Sequence, residues 1–141
     1  MFLAFRWSEY RIMKKFLLLA GLVFSLSGFN KILGQGGVDA IVSAFKSADA
    51  TQVGGYFDDF LDMKLLEKSE VKNIGRTQAT LMLKSFFSEN AVKGFEKTSE
   101  REIGNTMYLT GKFAEENKGH NVTVMLKLKD GKWQIISLRI S

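Results

Sequence analysis

The sequence predicts an α+β domain in which N-terminal helices pack on an antiparallel sheet. Three observations carry that expectation. Apolar residues recur every three or four positions over 38–49 and again over 76–88, the spacing that gathers them on one face of a helix. Alternation of apolar and polar residues takes over from Phe60 to Leu66 and through much of the chain after residue 90, the period of a strand with one buried face. Finally, Lys129-Asp130-Gly131-Lys132 supplies a two-residue hairpin turn, because Asp-Gly accepts the positive φ angles of a type I′ turn.

The elements follow in order. Val38, Ile41, Val42, Phe45 and Ala48 define the first helix, 38–49. Thr51 is placed to cap a short second helix carrying Val53, Tyr56 and Phe57 on one face, although Gly54-Gly55 weakens it. In the strand 60–66, Leu61, Met63 and Leu65 face one way and Phe60, Asp62 and Lys64 the other. A polar stretch leads to a third helix, 76–88, with Ala79, Met82, Leu83 and Phe86 on the buried stripe and Phe87 beside it. Strands are expected near 91–101, 105–115, 120–129 and 132–140.

The Asp-Gly turn fixes a register for the last two strands. Leu128 faces Trp133, Leu126 faces Ile135, Val124 faces Ser137 and Val122 faces Arg139 on one side. The other side carries Lys127 with Gln134, Met125 with Ile136, Thr123 with Leu138 and Asn121 with Ile140. Both faces then hold large apolar residues, and one small domain has helix enough to cover only one. Met125, Ile136, Leu138 and Ile140 are therefore expected to form a homodimer interface, unless the N-terminal remnant or a loop covers them.

Residues 1–35 read as an export leader and 36–141 as a single domain. Met13-Lys14-Lys15 precedes the apolar run Phe16–Phe24, and Ser25-Leu26-Ser27 offers a small-x-small cleavage pattern. The apolar run is shorter than the roughly 20 residues of a membrane span, so an exported periplasmic or secreted product without stable membrane insertion is expected. Met13 opens a more typical leader than Met1 and is the expected start. Removal of the leader leaves 15 Lys and Arg against 14 Asp and Glu, a net +1 in place of +5, which withdraws the electrostatic case for nucleic acid. The chain has no cysteine, which excludes disulfides, thiol nucleophiles and cysteine-ligated metal.

Phe45-Lys46-Ser47-Ala48-Asp49-Ala50 leading to Tyr56-Phe57, Gly75-Arg76-Thr77-Gln78-Ala79 leading to Phe86-Phe87, and Asp130-Gly131-Lys132-Trp133 leading to Ile140 resemble the helical pair, third helix and closing hairpin of the nuclear transport factor 2-like superfamily. Within it, the chain is similar over about 37–141 to an uncharacterised family of small exported bacterial proteins, a domain of unknown function. The resemblance implies a cone-like curved sheet (nuclear transport factor 2-like, or cystatin-like). It implies little about activity, because one scaffold hosts many functions.

Enzymes of that superfamily hold a carboxylate in the cone, often near a tyrosine or histidine. Here Asp58, Asp59 and Asp62 lie close in sequence, but alternation points Asp62 away from Leu61 and Met63, toward solvent. His120 falls in a polar loop with Glu115 and Glu116, a poor place for a buried base and a weak metal set. No catalytic residue, metal site or cofactor is assigned. The register instead places Arg139 and Ser137 on the stripe of Trp133, Ile135 and Leu126. A charge there requires an anion or a carboxylate partner, so Arg139, Ser137 and Tyr56 are the candidate contacts for a small acidic or lipid-like ligand. An ion pair, or a place at the rim, is the plainer account of Arg139. If the phenylalanines fill the cone, there is no pocket. The expected function is thus an exported, non-enzymatic ligand-binding or protein-association domain; the alternative is a cofactor-free isomerase- or hydratase-like enzyme using a pocket carboxylate with Tyr56.

Overall fold

A computed structural model describes residues 37–116 and 118–141. The expected leader and its start at Met13 lie outside the described residues. Two helices open the fold, α1 (Gly37–Lys46) and α2 (Ala50–Gly54), followed by strands β1 (Phe57–Leu65) and β2 (Val71–Gly75). Helix α3 (Arg76–Glu89) precedes the strands β3 (Gly94–Ile103), β4 (Thr106–Ala114), β5 (Asn121–Lys129) and β6 (Lys132–Ile140). The six strands form one curved, open sheet in the order β2-β1-β6-β5-β4-β3. Only β1 and β6 run parallel; every other neighbouring pair is antiparallel.

Local chemistry sets the helix ends. Helix α1 stops short of the expected residue 49 because Ala48 turns into the left-handed region at φ 53°. Asp49, rather than Thr51, caps α2: its carboxylate accepts from the backbone N–H of Thr51 at 2.9 Å and of Gln52 at 3.3 Å. Gly54, unfavourable for that helix by propensity, has a packing role. A Cβ there would stand 2.2 Å from Thr80 Oγ1, so the bare backbone lets α2 approach α3 closely. Tyr56 and Phe57 fall beyond α2, and Phe57 starts β1 three residues before the expected strand.

One strand goes unpredicted. In β2 only Ile74 is buried, and Asn73 adopts φ 55° with its N–H donated to Asp62 Oδ1 at 2.9 Å. Five residues with one buried side chain give too little alternation to read in a sequence.

The core lies between the helices and one sheet face. Ile41, Phe45, Val53, Ala79 and Leu83 from the helices meet Phe57, Leu109, Phe113, Val124 and Leu126 from the sheet, all at most 1% exposed. Phe113 is the hub of an aromatic cluster: Phe45, Phe86, Phe87 and Phe95 lie 5.2–6.2 Å from it between ring centroids. Such tilted and edge-on contacts add to the burial of the rings. These rings join α1 and α3 to β3 and β4.

The β5–β6 hairpin turns as expected at Asp130 and Gly131, with φ of 50° and 74°. Its register matches expectation from the turn to Leu126 opposite Ile135. There a β-bulge intervenes: Met125 faces Ser137, leaving Ile136 as the extra residue. Beyond it Val124 faces Leu138, Thr123 faces Arg139 and Val122 faces Ile140. The shift of one residue exchanges the two faces. Leu138 and Ile140, expected at a dimer interface, are 0% and 1% exposed in the core of the single chain, while Ser137 and Arg139 move to the outer face. The physical reason is direct. The bulge buries two large aliphatic side chains, each stabilising by about 1.5–3 kcal/mol, and spares a guanidinium from desolvation.

The bulged register makes a measurable prediction. In urea unfolding, Leu138→Ala costs about 2–5 kcal/mol, whereas Ser137→Ala changes stability by less than about 0.5 kcal/mol; an uninterrupted ladder would reverse that order.

Candidate functional site

The corrected register divides the candidate residues. Ser137 and Arg139 come together on the outer sheet face with two of the four expected interface residues, Met125 and Ile136. These four line a depression of about 480 Å³ with Asp62, Thr123 and Tyr108. Glu70, just before β2, and Lys72, within it, close its side. Tyr56 does not join them. It packs against the core, and its carbonyl accepts the N–H of Ile135 at 2.8 Å, four residues or about 13 Å of strand from Arg139. The three candidate ligand contacts therefore do not form one site.

Arg139 is where the plainer account placed it. Its side chain is 56% exposed, and Nη2 donates to Glu70 Oε1 at 2.7 Å. A solvated guanidinium with a carboxylate partner creates no demand for a bound anion, so the burial argument for an acidic ligand falls with the register that motivated it.

The three aspartates are also separated. Asp59 accepts from Arg76 at 3.1 Å, Asp62 accepts the Asn73 N–H, and Asp58 is bound by the ammonium of Lys129. Burial pushes the Asp58 carboxyl up, but the Lys129 hydrogen bond, the Asp59 N–H and the charges of Lys129 and Arg76 together outweigh it and hold it below the ordinary carboxylate value. A general acid at neutral pH needs the opposite shift.

The loop after β4 differs most from expectation. It folds back, with the Phe113 N–H donated to the His120 carbonyl at 2.9 Å. Glu115 and His120, expected at a solvated tip, then have side chains only 5% and 16% exposed and are joined by a 2.5 Å contact from His120 Nδ1 to Glu115 Oε1. The imidazole stands edge-on to Phe86 at 5.8 Å. Asp, Glu and His form no cluster of three that could hold a metal among the described residues. A second hollow, of about 580 Å³ between the end of β1 and α3, is lined by Leu66, Met82 and Phe86 with Lys68 and Glu89; no candidate residue lies in it.

The outer depression is consequently the feature where most of the candidates converge. Around it, Phe60 and Ile103 are 57% and 52% exposed and Tyr108 38%. Phe60 precedes Asp62 by two residues, and Ile103 pairs with Thr106 beside Lys127, so both lie on the outer face. Sequence reading places Met125 and Ile136 on this surface but credits it with Leu138 and Ile140 in place of Ser137 and Arg139.

The Asp58–Lys129 bridge ties β1 to the hairpin, and its pH dependence follows from the depressed folded value. Its contribution is present above the ordinary carboxylate value and lost as pH falls through the lower folded one. Asp58→Asn should therefore destabilise by up to about 1 kcal/mol at pH 7, the half-exposed Lys129 being screened by solvent. In urea melts across pH, the difference from the parent should shrink below about pH 4.

The family model described as "Domain of unknown function (DUF4783)" matches residues 38–141. No curated protein matches the sequence. Among solved structures, the chain is similar to a DUF4783 family protein from Bacteroides ovatus, at 22% identity and a TM-score of 0.64, covering 72% of this chain and 90% of that one. A DUF4783 family protein from Bacteroides uniformis gives 19% identity and a TM-score of 0.68, covering 74% and 94%. An NTF2-like protein of unknown function from Cytophaga hutchinsonii gives 14% identity and 0.50, covering 74% and 84%. At these identities the likeness is one of fold: the nuclear transport factor 2-like architecture.

Proposed function

Since the chain belongs to the domain-of-unknown-function family DUF4783, whose description assigns no chemistry, we infer its role from its surfaces: an exported, non-enzymatic domain that associates with protein through the outer face of its sheet. The observation that carries this reading is the apolar centre of that face, Met125, Ile136 and Tyr108 with Phe60 and Ile103 at its flanks, set among the charges of Asp62, Glu70, Lys72 and Arg139. An apolar centre with a charged rim is the anatomy of a protein interface.

The concave side supports the same reading. An isomerase- or hydratase-like enzyme requires an open interior holding an acid or base. Here phenylalanine rings pack around Phe113, and the carboxylate of Asp58 is held ionised at the sheet margin. Glu115 is committed to His120. Export rests on the leader pattern of Lys14-Lys15 and the apolar run behind it, and no helix among the described residues is long and apolar enough to cross a membrane.

Photo-crosslinking in the host tests the reading. A photoreactive residue at 125 or 136 should give a discrete adduct, identified as protein by mass spectrometry, while the same residue at Leu81, exposed on α3, should not. Equal labelling at all three positions, or none at 125 and 136, would contradict it. The intact mass of the same material should show loss of the leader, about residues 1–35.

A further inference from the structure

The outer face carries an order of residues that complements itself. At the level of Met125 the registers place Arg101 on β3, Tyr108 on β4, Met125 on β5, Ser137 on β6 and Asp62 on β1 in one row. Directly opposed residues share a face, so the row runs from a cation, through an aromatic ring and a thioether at its centre, to an anion. We propose that this face binds a second copy of the chain about a two-fold axis lying along β5 through Met125, so that Arg101 of each protomer meets Asp62 of the other. The proposal deepens the association reading and rests on it.

Two like faces can pack on each other only about an axis lying in the plane between them, and two orientations of that axis follow the sheet. An axis across the strands would set Arg101 against Arg101 and Asp62 against Asp62, like charges in a closing interface. An axis along β5 exchanges the ends of the row instead. Arg101 then lies over Asp62, Tyr108 over Ser137, and Met125 over its own copy. Sheets pack about 10 Å apart, a gap that an extended arginine facing an aspartate spans.

The adjoining rows agree with the same axis. Ile103 is joined through Thr106 and Lys127 to Gln134, and Phe60 lies on β1 within the stretch between Phe57 and Asp62 where the register with β6 shifts. The exchange lays the β3 edge with Ile103 over β1, the strand that carries Phe60, and both are large apolar side chains the single chain leaves exposed. On the other side, Arg139 comes to lie over Thr110 and Lys64 over Ser99, cations against hydroxyls. One contact is unfavourable: Lys127 meets its own copy on the axis. Five strands about 4.8 Å apart and nine residues long present a face of about 700 Å², near the roughly 800 Å² each partner gives to a standard interface.

Sedimentation of the host-processed chain tests the axis. The parent should be a dimer at micromolar concentration. Arg101→Asp and Asp62→Arg should each weaken association at least ten-fold, and an equimolar mixture of the two variants should restore it, because each then supplies the charge the other lacks. Asp62→Arg also removes the acceptor for the Asn73 N–H, so Asp62→Asn, which keeps an acceptor, serves as the second variant and should weaken the dimer several-fold with an unchanged far-ultraviolet dichroism spectrum. Lys127→Leu should tighten it. A dimer indifferent to all four changes overturns the proposed axis. A monomer that still gives adducts with another protein at position 125 overturns self-association and leaves the association reading standing; a monomer with no adduct overturns both.

Discussion

Ile135 and Ile136 stand together opposite a single step of β5, and this bulge decides which chemistry the domain keeps inside and which it presents. With Ile136 out of the ladder, Leu138 and Ile140 turn inward and Ser137 and Arg139 outward. Without it, a guanidinium would face the aliphatic residues of β5 and two of the largest side chains of β6 would face water. Each half of that exchange is worth several kcal/mol, far more than the one ladder step the bulge gives up. The pairing of β6 with β1 also shifts at this level, between Phe57 and Asp62. Two irregularities side by side give a sheet a local bend and added twist.

The bulge also explains why function is sought on the outside. Its inward consequence is a core of apolar side chains in which no polar residue is buried among the described residues, Asp58 being tied to Lys129 and Glu115 to His120. Its outward consequence is a face with an apolar centre and an ordered set of charges. Scaffolds of this kind separate fold from function, since the same framework accepts either an open or a packed interior. In this chain the rings around Phe113 take the packed option.

Much of this fold is legible in the sequence, for identifiable reasons. The stripe of Ala79, Leu83 and Phe86 and the alternation of Leu61, Met63 and Leu65 are each long enough to declare their period, and Asp130-Gly131 declares its turn. The resemblance to nuclear transport factor 2-like proteins, drawn from three local patterns, agrees with the family match and with the solved structures. Short β2 offers one buried residue and no pattern. The bulge left a trace, an arginine and a serine assigned to a core stripe while Leu138 and Ile140 faced out. On spacing alone that conflict between pattern and chemistry points to a ligand site and a dimer interface; the cheaper resolution is a one-residue slip. The parallel pairing of β1 with β6 and the folded-back loop that unites Glu115 with His120 are tertiary arrangements; no local spacing encodes them.

The measurement that reaches the central claim most directly is the set of cross-strand nuclear Overhauser effects in the β5–β6 hairpin of the isotopically labelled chain. Directly opposed residues of antiparallel strands bring their backbones to about 4.5–5.5 Å, so each register has its own contacts. The bulged fold predicts Leu126 with Ile135, then Val124 with Leu138 and Val122 with Ile140. Contacts of Val124 with Ser137 and Val122 with Arg139 would contradict it, and would return the arginine to the core.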